Sequence, residues 1–275
     1  AMLSYGHRWG DFGWDSSFTF SANKNEIVEL VKDYVHPETG KTYNVDKLEL
    51  KTDEGRGFGK AKFILKEGGT LGDLYTHADL KRDINGNVLI DDSGNVTAID
   101  NAGDIKLGSV LPKANLAWNN SFSYKGINAG FLLTARLGGI VYSATQAYLD
   151  LYGVSETSAA ARDAGGVWIN GRSRVNPQSF YEVVASQSGL PTYYTYSATN
   201  LRLQEAHIGY TVPRRWLGNV CDVNVSLVGK NLWMIYCKAP FDPEAVATTN
   251  NYYQGIDYFM MPSTRNIGFN IKINF

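Results

Sequence analysis

The chain has 275 residues, and 26 Lys and Arg against 27 Asp and Glu give a formal net charge of −1, so charge supplies no reason to expect nucleic acid or an acidic polymer as a partner. Hydrophobic residues make up 44%, yet no apolar run approaches the roughly 20 residues that a membrane-crossing helix needs, which excludes a helical membrane protein and leaves a β-barrel open. With 28 Gly, 17 Tyr, 12 Phe and 6 Trp, the composition suits long strands and aromatic loops, and the expected class is all-β.

In chain order, nine strands are predicted, at about residues 2–9, 12–22, 58–66, 71–80, 113–124, 127–140, 200–211, 221–236 and 267–275. Ala1-Met2 runs directly into the first with no charged and apolar leader, so no signal peptide is read, and the expectation is either that one was removed or that the chain is a piece of something longer. In the second strand Phe12, Trp14, Phe18, Phe20 and Ala22 alternate with Asp15, Ser17, Thr19 and Ser21. The fifth sets Leu116, Trp118, Phe122 and Tyr124 against Asn115, Asn119, Ser121 and Ser123, and the sixth runs Ile127, Ala129, Phe131, Leu133, Ala135, Leu137. In the seventh the phase changes near Glu205, the mark of a bulge. The eighth repeats the pattern with Val223, Val225 and Leu227, and the last with Ile267, Phe269, Ile271, Ile273 and Phe275. A period of two gives each strand one apolar and one polar face, which fits a soluble sandwich and a membrane barrel equally.

Connections separate those readings. Short links are expected at Gly10-Asp11, 66–69, 124–126 and 213–219, and long ones at 24–56, 81–112, 141–199 and 237–265. Strict alternation puts tight turns at one end of the sheet and large excursions at the other, as in an outer-membrane barrel in a lipid bilayer with short periplasmic turns and long extracellular loops. Phe275 then sits at the periplasmic rim as an interfacial aromatic.

Catalytic and metal motifs are weak. The "GKT" at Gly40 to Thr42 lacks the preceding glycine of a phosphate loop, and "SANK" at Ser21 to Lys24 has no partner motif. The four histidines are scattered, and the two cysteines, Cys221 and Cys237, are expected as reduced thiols. Asp83, Asp91, Asp92 and Asp100 carry ligand chemistry for Ca2+, but the spacing of an EF-hand and its closing Glu are missing, so two hairpin turns are expected and no cofactor is predicted. Asp242-Pro243 reads as turn initiation. Tyr193, Tyr194 and Tyr196, then Tyr252, Tyr253, Tyr258 and Phe259, lie in long loops, where flat rings with a hydroxyl suit sugar faces and peptide side chains; packing within the loops is the equal alternative.

Seven stretches carry a further signal: "SANKNEI", "LPKANLAWNNSFSYKGI", "ARLGGIVYSAT", "GVSETSAAARDAGGV", "NLRLQEAHIGYTVPRRWL", "SLVGKNLWM" followed by "FDPE", and "PSTRNIGFNIKINF". Together, in this order and over nearly the whole chain, they resemble the carboxyl-terminal part of the SusC/RagA family of TonB-dependent outer-membrane transporters. The resemblance implies that residues 1–275 are part of a 22-stranded transmembrane barrel whose plug domain and amino-terminal strands lie outside this chain. It implies a non-enzymatic importer of oligosaccharide or oligopeptide fragments, a SusD-like surface lipoprotein as partner, and TonB acting through the plug. Asn231, Asp242, Pro243 and Glu244 become a structural motif, Phe275 an assembly signal, and Trp168, Arg172, Tyr193, Tyr194, Tyr252 and Tyr253 the substrate-binding candidates in extracellular loops. The alternative function is a soluble all-β carbohydrate-binding module, a lectin-like sandwich.

Overall fold

The computed structural model describes residues 1–50, 58–218, 220–247 and 254–274. Seven strands form one antiparallel sheet: β1 (Met2–Trp9), β2 (Phe12–Ala22), β3 (Ala114–Tyr124), β4 (Ile127–Leu137), β5 (Asn200–Val212), β6 (Asp222–Cys237) and β7 (Asn266–Asn274). Each pairs with the next in chain order, a plain meander. Directly opposed residues share a face, so the register can be followed across the whole sheet. One row runs Trp9, Phe12, Tyr124, Ile127, Tyr210, Val225, Ile271, and the row beside it on the other face runs Arg8, Gly13, Ser123, Asn128, Gly209, Ser226, Asn270. The apolar face is open, with Phe269 78% exposed, and among the described residues no second sheet hydrogen-bonds to or covers it as a sandwich requires.

The seven-strand count departs from the nine expected. Trp118 of β3 lies opposite Phe18 of β2, so everything between those two strands is a single excursion. Within it Ala61–Lys66 and Asp73–Thr76 join Lys47–Leu50 and Ile105–Ser109 in a separate four-stranded sheet. The reason lies in burial: Phe63 and the adjacent Ile64 are both buried, as are Leu74 and Tyr75, whereas a strand of the large sheet leaves one face open. Short and long connections still alternate, with turns at Gly10-Asp11, Lys125-Gly126 and 213–221 at one end and the three excursions at the other.

The excursion after β4 departs from the all-β expectation by carrying three helices, α1 (Ala144–Leu151), α2 (Glu156–Asp163) and α3 (Pro177–Val184). Their starts are written locally. Ser143 Oγ accepts from the Gln146 amide at 3.0 Å, Ser155 Oγ from the Ser158 amide at 2.9 Å and Asn176 Oδ1 from the Gln178 amide at 2.9 Å, with Pro177 at the first helical position. The main hydrophobic core lies here rather than in the sheet, drawing Phe63, Leu74 and Val110 from one excursion, Tyr142, Phe180, Leu190 and Tyr194 from the second and Ile256 from the third. A small sheet ties the last two together, with Ile140–Ser143 antiparallel to Thr195–Ser197 and parallel to Ile256–Asp257.

The phase change near Glu205 is a bulge: the register to β6 shifts between Leu203 and Glu205. Cys221 and Cys237 stand at opposite ends of β6, about 50 Å apart at ~3.3 Å per residue, far beyond disulfide reach, and both are free thiols.

Candidate functional site

Where the polar face meets the loops, β5 contributes Arg202, which is 4% exposed. Its Nη1 donates to Asn231 Oδ1 at 2.8 Å and its Nη2 to Asp242 Oδ1 at 2.6 Å, with Glu244 Oε2 at 3.4 Å. Asn231 reaches it because β6 bulges: Glu205 pairs with Lys230 and Leu203 with Trp233, leaving Asn231 and Leu232 out of the ladder. Asn231 sits at φ +52°, a conformation Asn tolerates better than most side chains, and its Nδ2 donates to the Thr264 carbonyl at 3.1 Å. Asp242 also accepts the Glu244 amide at 3.0 Å across the Pro243 turn, while Asn200 Nδ2 donates to Glu244 Oε1 at 3.2 Å. Burial opposes ionisation of Asp242, but hydrogen bonds from Arg202 and Ser263 and the guanidinium charge more than offset it and hold the carboxyl below its ordinary value. Asn231, Asp242 and Glu244 thus converge on one guanidinium. Sequence reading passed over Arg202, the one Arg or Lys in β5. Its only signal was a charge among residues destined for the core end.

Trp168 lies on the hairpin Val167–Ile169 and Ser173–Val175, whose turn is made by Asn170 at φ +53° and Gly171 at φ +65°. The indole is 55% exposed and the Arg174 guanidinium rests over it, 4.4 Å from its centroid. Arg172 is exposed at the hairpin tip. The Asn170 side chain docks the hairpin by accepting from the Val88 amide at 3.1 Å and donating to its carbonyl at 2.9 Å.

The Tyr193-Tyr194 pair is corrected. Tyr194 is 2% exposed and donates to Asp150 Oδ2 at 3.0 Å, and burial and that carboxylate push its phenol pKa up. Tyr193 is half-buried with its ring edge-on to Phe180, centroids 6.2 Å apart. Both rings pack inside the loop assembly, because adjacent residues there have core on two sides, and Tyr194 offers no stacking surface. Tyr252, Tyr253 and Phe275 lie outside the described residues. Tyr258 and Phe259 are exposed, Phe259 with its centroid 5.3 Å from that of Tyr148.

Asp83 Oδ1 accepts the Asn85 and Asn87 amides at 2.8 and 2.9 Å, and Asp91 Oδ1 accepts the Ser93 and Asn95 amides at 2.9 Å each. These are the two hairpin turns expected, with the carboxylates capping them. Gly40, in "GKT", closes the hairpin of Val31–Val35 and Thr42–Val45 at φ +64°. Among the described residues no group of three or more His, Cys, Asp or Glu is arranged to hold a metal ion.

No protein-family model matches the chain. TonB-dependent receptor P3 of Formosa agariphila is 25% identical over 289 aligned positions, 95% of this chain, and TonB-dependent receptor P26 of the same organism is 25% identical over 98% of it. Among solved structures, the RagAB peptide transporter superposes over 100% of this chain with a TM-score of 0.65 at 17% identity. The chain is similar to TonB-dependent receptors of the SusC/RagA kind. It spans only 27% and 28% of the two curated relatives and 28% of the RagAB chain.

Proposed function

We propose that residues 1–275 are the carboxyl-terminal barrel portion of a SusC-like, non-enzymatic, TonB-dependent importer of oligosaccharide or oligopeptide fragments in the Gram-negative outer membrane. The observation that carries this reading is the seven-stranded meander, apolar on one face and polar on the other, with every turn at one end and every excursion at the other. On this reading the apolar face meets lipid and the polar face lines the lumen. The excursions are extracellular, and the row of Trp9, Phe12, Tyr124 and Tyr210 is the periplasmic aromatic girdle. The open edges of β1 and β7 pair with the remaining strands of a 22-stranded barrel around a plug through which TonB acts, and a SusD-like lipoprotein delivers substrate from outside. Trp168 and Arg172, with Tyr252 and Tyr253, supply ligand contacts in the loops, and Phe275 the assembly signal.

The full-length protein, expressed with its lipoprotein in an energised outer membrane, tests the reading. It should extract only with detergent and take up labelled fragments in a TonB-dependent way. Recovery in the aqueous fraction as a folded monomer would point instead to the sugar-binding module.

A further inference from the structure

Between α1, α2 and α3 a pocket of about 340 Å3 opens within a single excursion, inside the usual range of about 300–1,000 Å3 for ligand sites. Asp150, near the end of α1 and 5% exposed, forms part of its wall. The carboxylate accepts from the Ser155 hydroxyl, from Tyr194 Oη at 3.0 Å and from Gln146 Nε2 at 3.4 Å, all of them neutral donors. Among the described residues no Lys, Arg or His pairs with it, although a charge withdrawn from water ordinarily has a counter-charge. Its field reaches across the pocket: burial first, and then the Asp150 charge, push the Tyr181 phenol pKa up. The chain places these groups by a tight reversal, with α1 ending at Leu151, Gly153 at φ +71° and Ser155 starting α2. Tyr152 and Gly153 therefore bring the carbonyl end of α1, which favours cations, to the pocket. On the side of α3, Tyr181 is buried and its hydroxyl has no hydrogen-bond partner among the described residues. Glu182 is exposed, and its Oε1 accepts from Gln178 Nε2 at 2.9 Å. Arg162 Nη1 is held by the Gly153 carbonyl at 2.8 Å, and the guanidinium ion-pairs with neither carboxylate. Among the described residues the lining thus carries two carboxylates against one guanidinium, and the buried carboxylate is left without a cation.

We propose that this pocket binds a primary ammonium group. An ammonium has three donors and no acceptor, which suits the carboxylates of Asp150 and Glu182 and the phenol oxygen of Tyr181, and its charge offsets the one that Asp150 buries. The exposed ring of Tyr152 adds a face on which a cation is attracted. A neutral hydroxyl of the same shape supplies one donor and no charge. An amino sugar and a lysine side chain both carry the group, and the pocket's chemistry is common to the two. The site is built by one excursion alone, so it stands apart from the importer reading.

Purified full-length protein can be titrated at about pH 6, where both amines are protonated, with two pairs of probes that differ only in ammonium against hydroxyl. One pair is methyl glucosaminide and methyl glucoside; the other is Nα-acetyl-lysine methylamide and its 6-hydroxynorleucine counterpart. At least one ammonium probe should bind about tenfold more tightly than its hydroxyl partner, and the pair that shows the preference names the source. The preference should shrink at high salt and vanish in D150N. Because Asp150 also holds Ser155 and Tyr194, D150N is judged only if its thermal unfolding matches the wild type. The variant E182Q/Y181F changes an exposed carboxylate and an unpartnered hydroxyl, keeps the fold, and should cut the preference to about threefold. Equal binding within both pairs, a preference that E182Q/Y181F leaves intact, or one that survives in folded D150N overturns the proposal and leaves the importer reading standing.

Discussion

Arg202 on β5 donates to Asp242 at 2.6 Å although the two lie 40 positions apart, and this pair pins the loop after β6 to the sheet at its loop end. The side chains are 5% and 9% exposed, so removing one partner strands the other in a dry site. Arg202→Ala in the full-length protein should cost about 3–5 kcal/mol of local stability. Arg202→Lys should recover little, because an ammonium cannot serve Asn231 and Asp242 from one rigid fork. Thermal unfolding in detergent, with limited proteolysis across 238–265, measures both. An unchanged cleavage rate in Arg202→Ala would remove the pinning role.

The same pair gives a pH dependence. Asp242 has a folded-state pKa below its unfolded value of about 3.9, so its contribution is complete above that value and is lost as pH falls through the lower folded one. Loop cleavage should therefore stay flat between about pH 5 and 8 and rise only in strong acid. Asp242→Asn should flatten that acid limb. A wild-type transition near neutral pH would contradict the assignment.

Face identity is open to a charge scan. A Lys at Phe131, Leu133 or Phe269 on the apolar face towards the bilayer midplane should cost about 2–4 kcal/mol, whereas Lys at Thr134 or Asn270 should cost little. Folding into lipid vesicles reports the difference, and equal penalties on both faces would defeat the barrel reading.

Tyr194 and Trp168 should behave differently. Tyr194→Ala empties a buried site and should destabilise the loop assembly by roughly 3–5 kcal/mol, while Trp168→Ala, at an exposed ring, should leave stability nearly unchanged and weaken ligand capture. Hydrogen exchange of the loops and binding at matched assembled protein separate the two. Full binding with both Trp168 and the Tyr252-Tyr253 pair replaced would move the site elsewhere.

Deleting Phe275 should lower the amount assembled in the outer membrane and leave uptake per assembled molecule unchanged, since on the proposed orientation it sits at the far rim from the loops. Normal assembly with impaired uptake is the contrary result.

The two faces of β2, β3, β4, β6 and β7, the end of the sheet that carries the turns and the bulge at Glu205 were legible without coordinates, because side-chain alternation is set by neighbouring backbone geometry and turn length by a few local residues. Membership of a sheet is a different matter. Residues 58–66 and 71–80 look strand-like and are strands, but whether they join the large sheet depends on β2 finding β3 across some ninety residues of chain, which no local window reports. The helix starts at Ser143, Ser155 and Asn176 had local signals that went unread behind an all-β expectation. The family resemblance singled out Asn231 and Asp242 but not Arg202, to which both bond, and no sequence signal marked the burial of Tyr194 against Asp150, 44 positions away. Hydrogen bonds and burial at such separations arise only when three excursions fold together, so the tertiary structure alone decided which polar and aromatic residues hold the loops and which stay exposed.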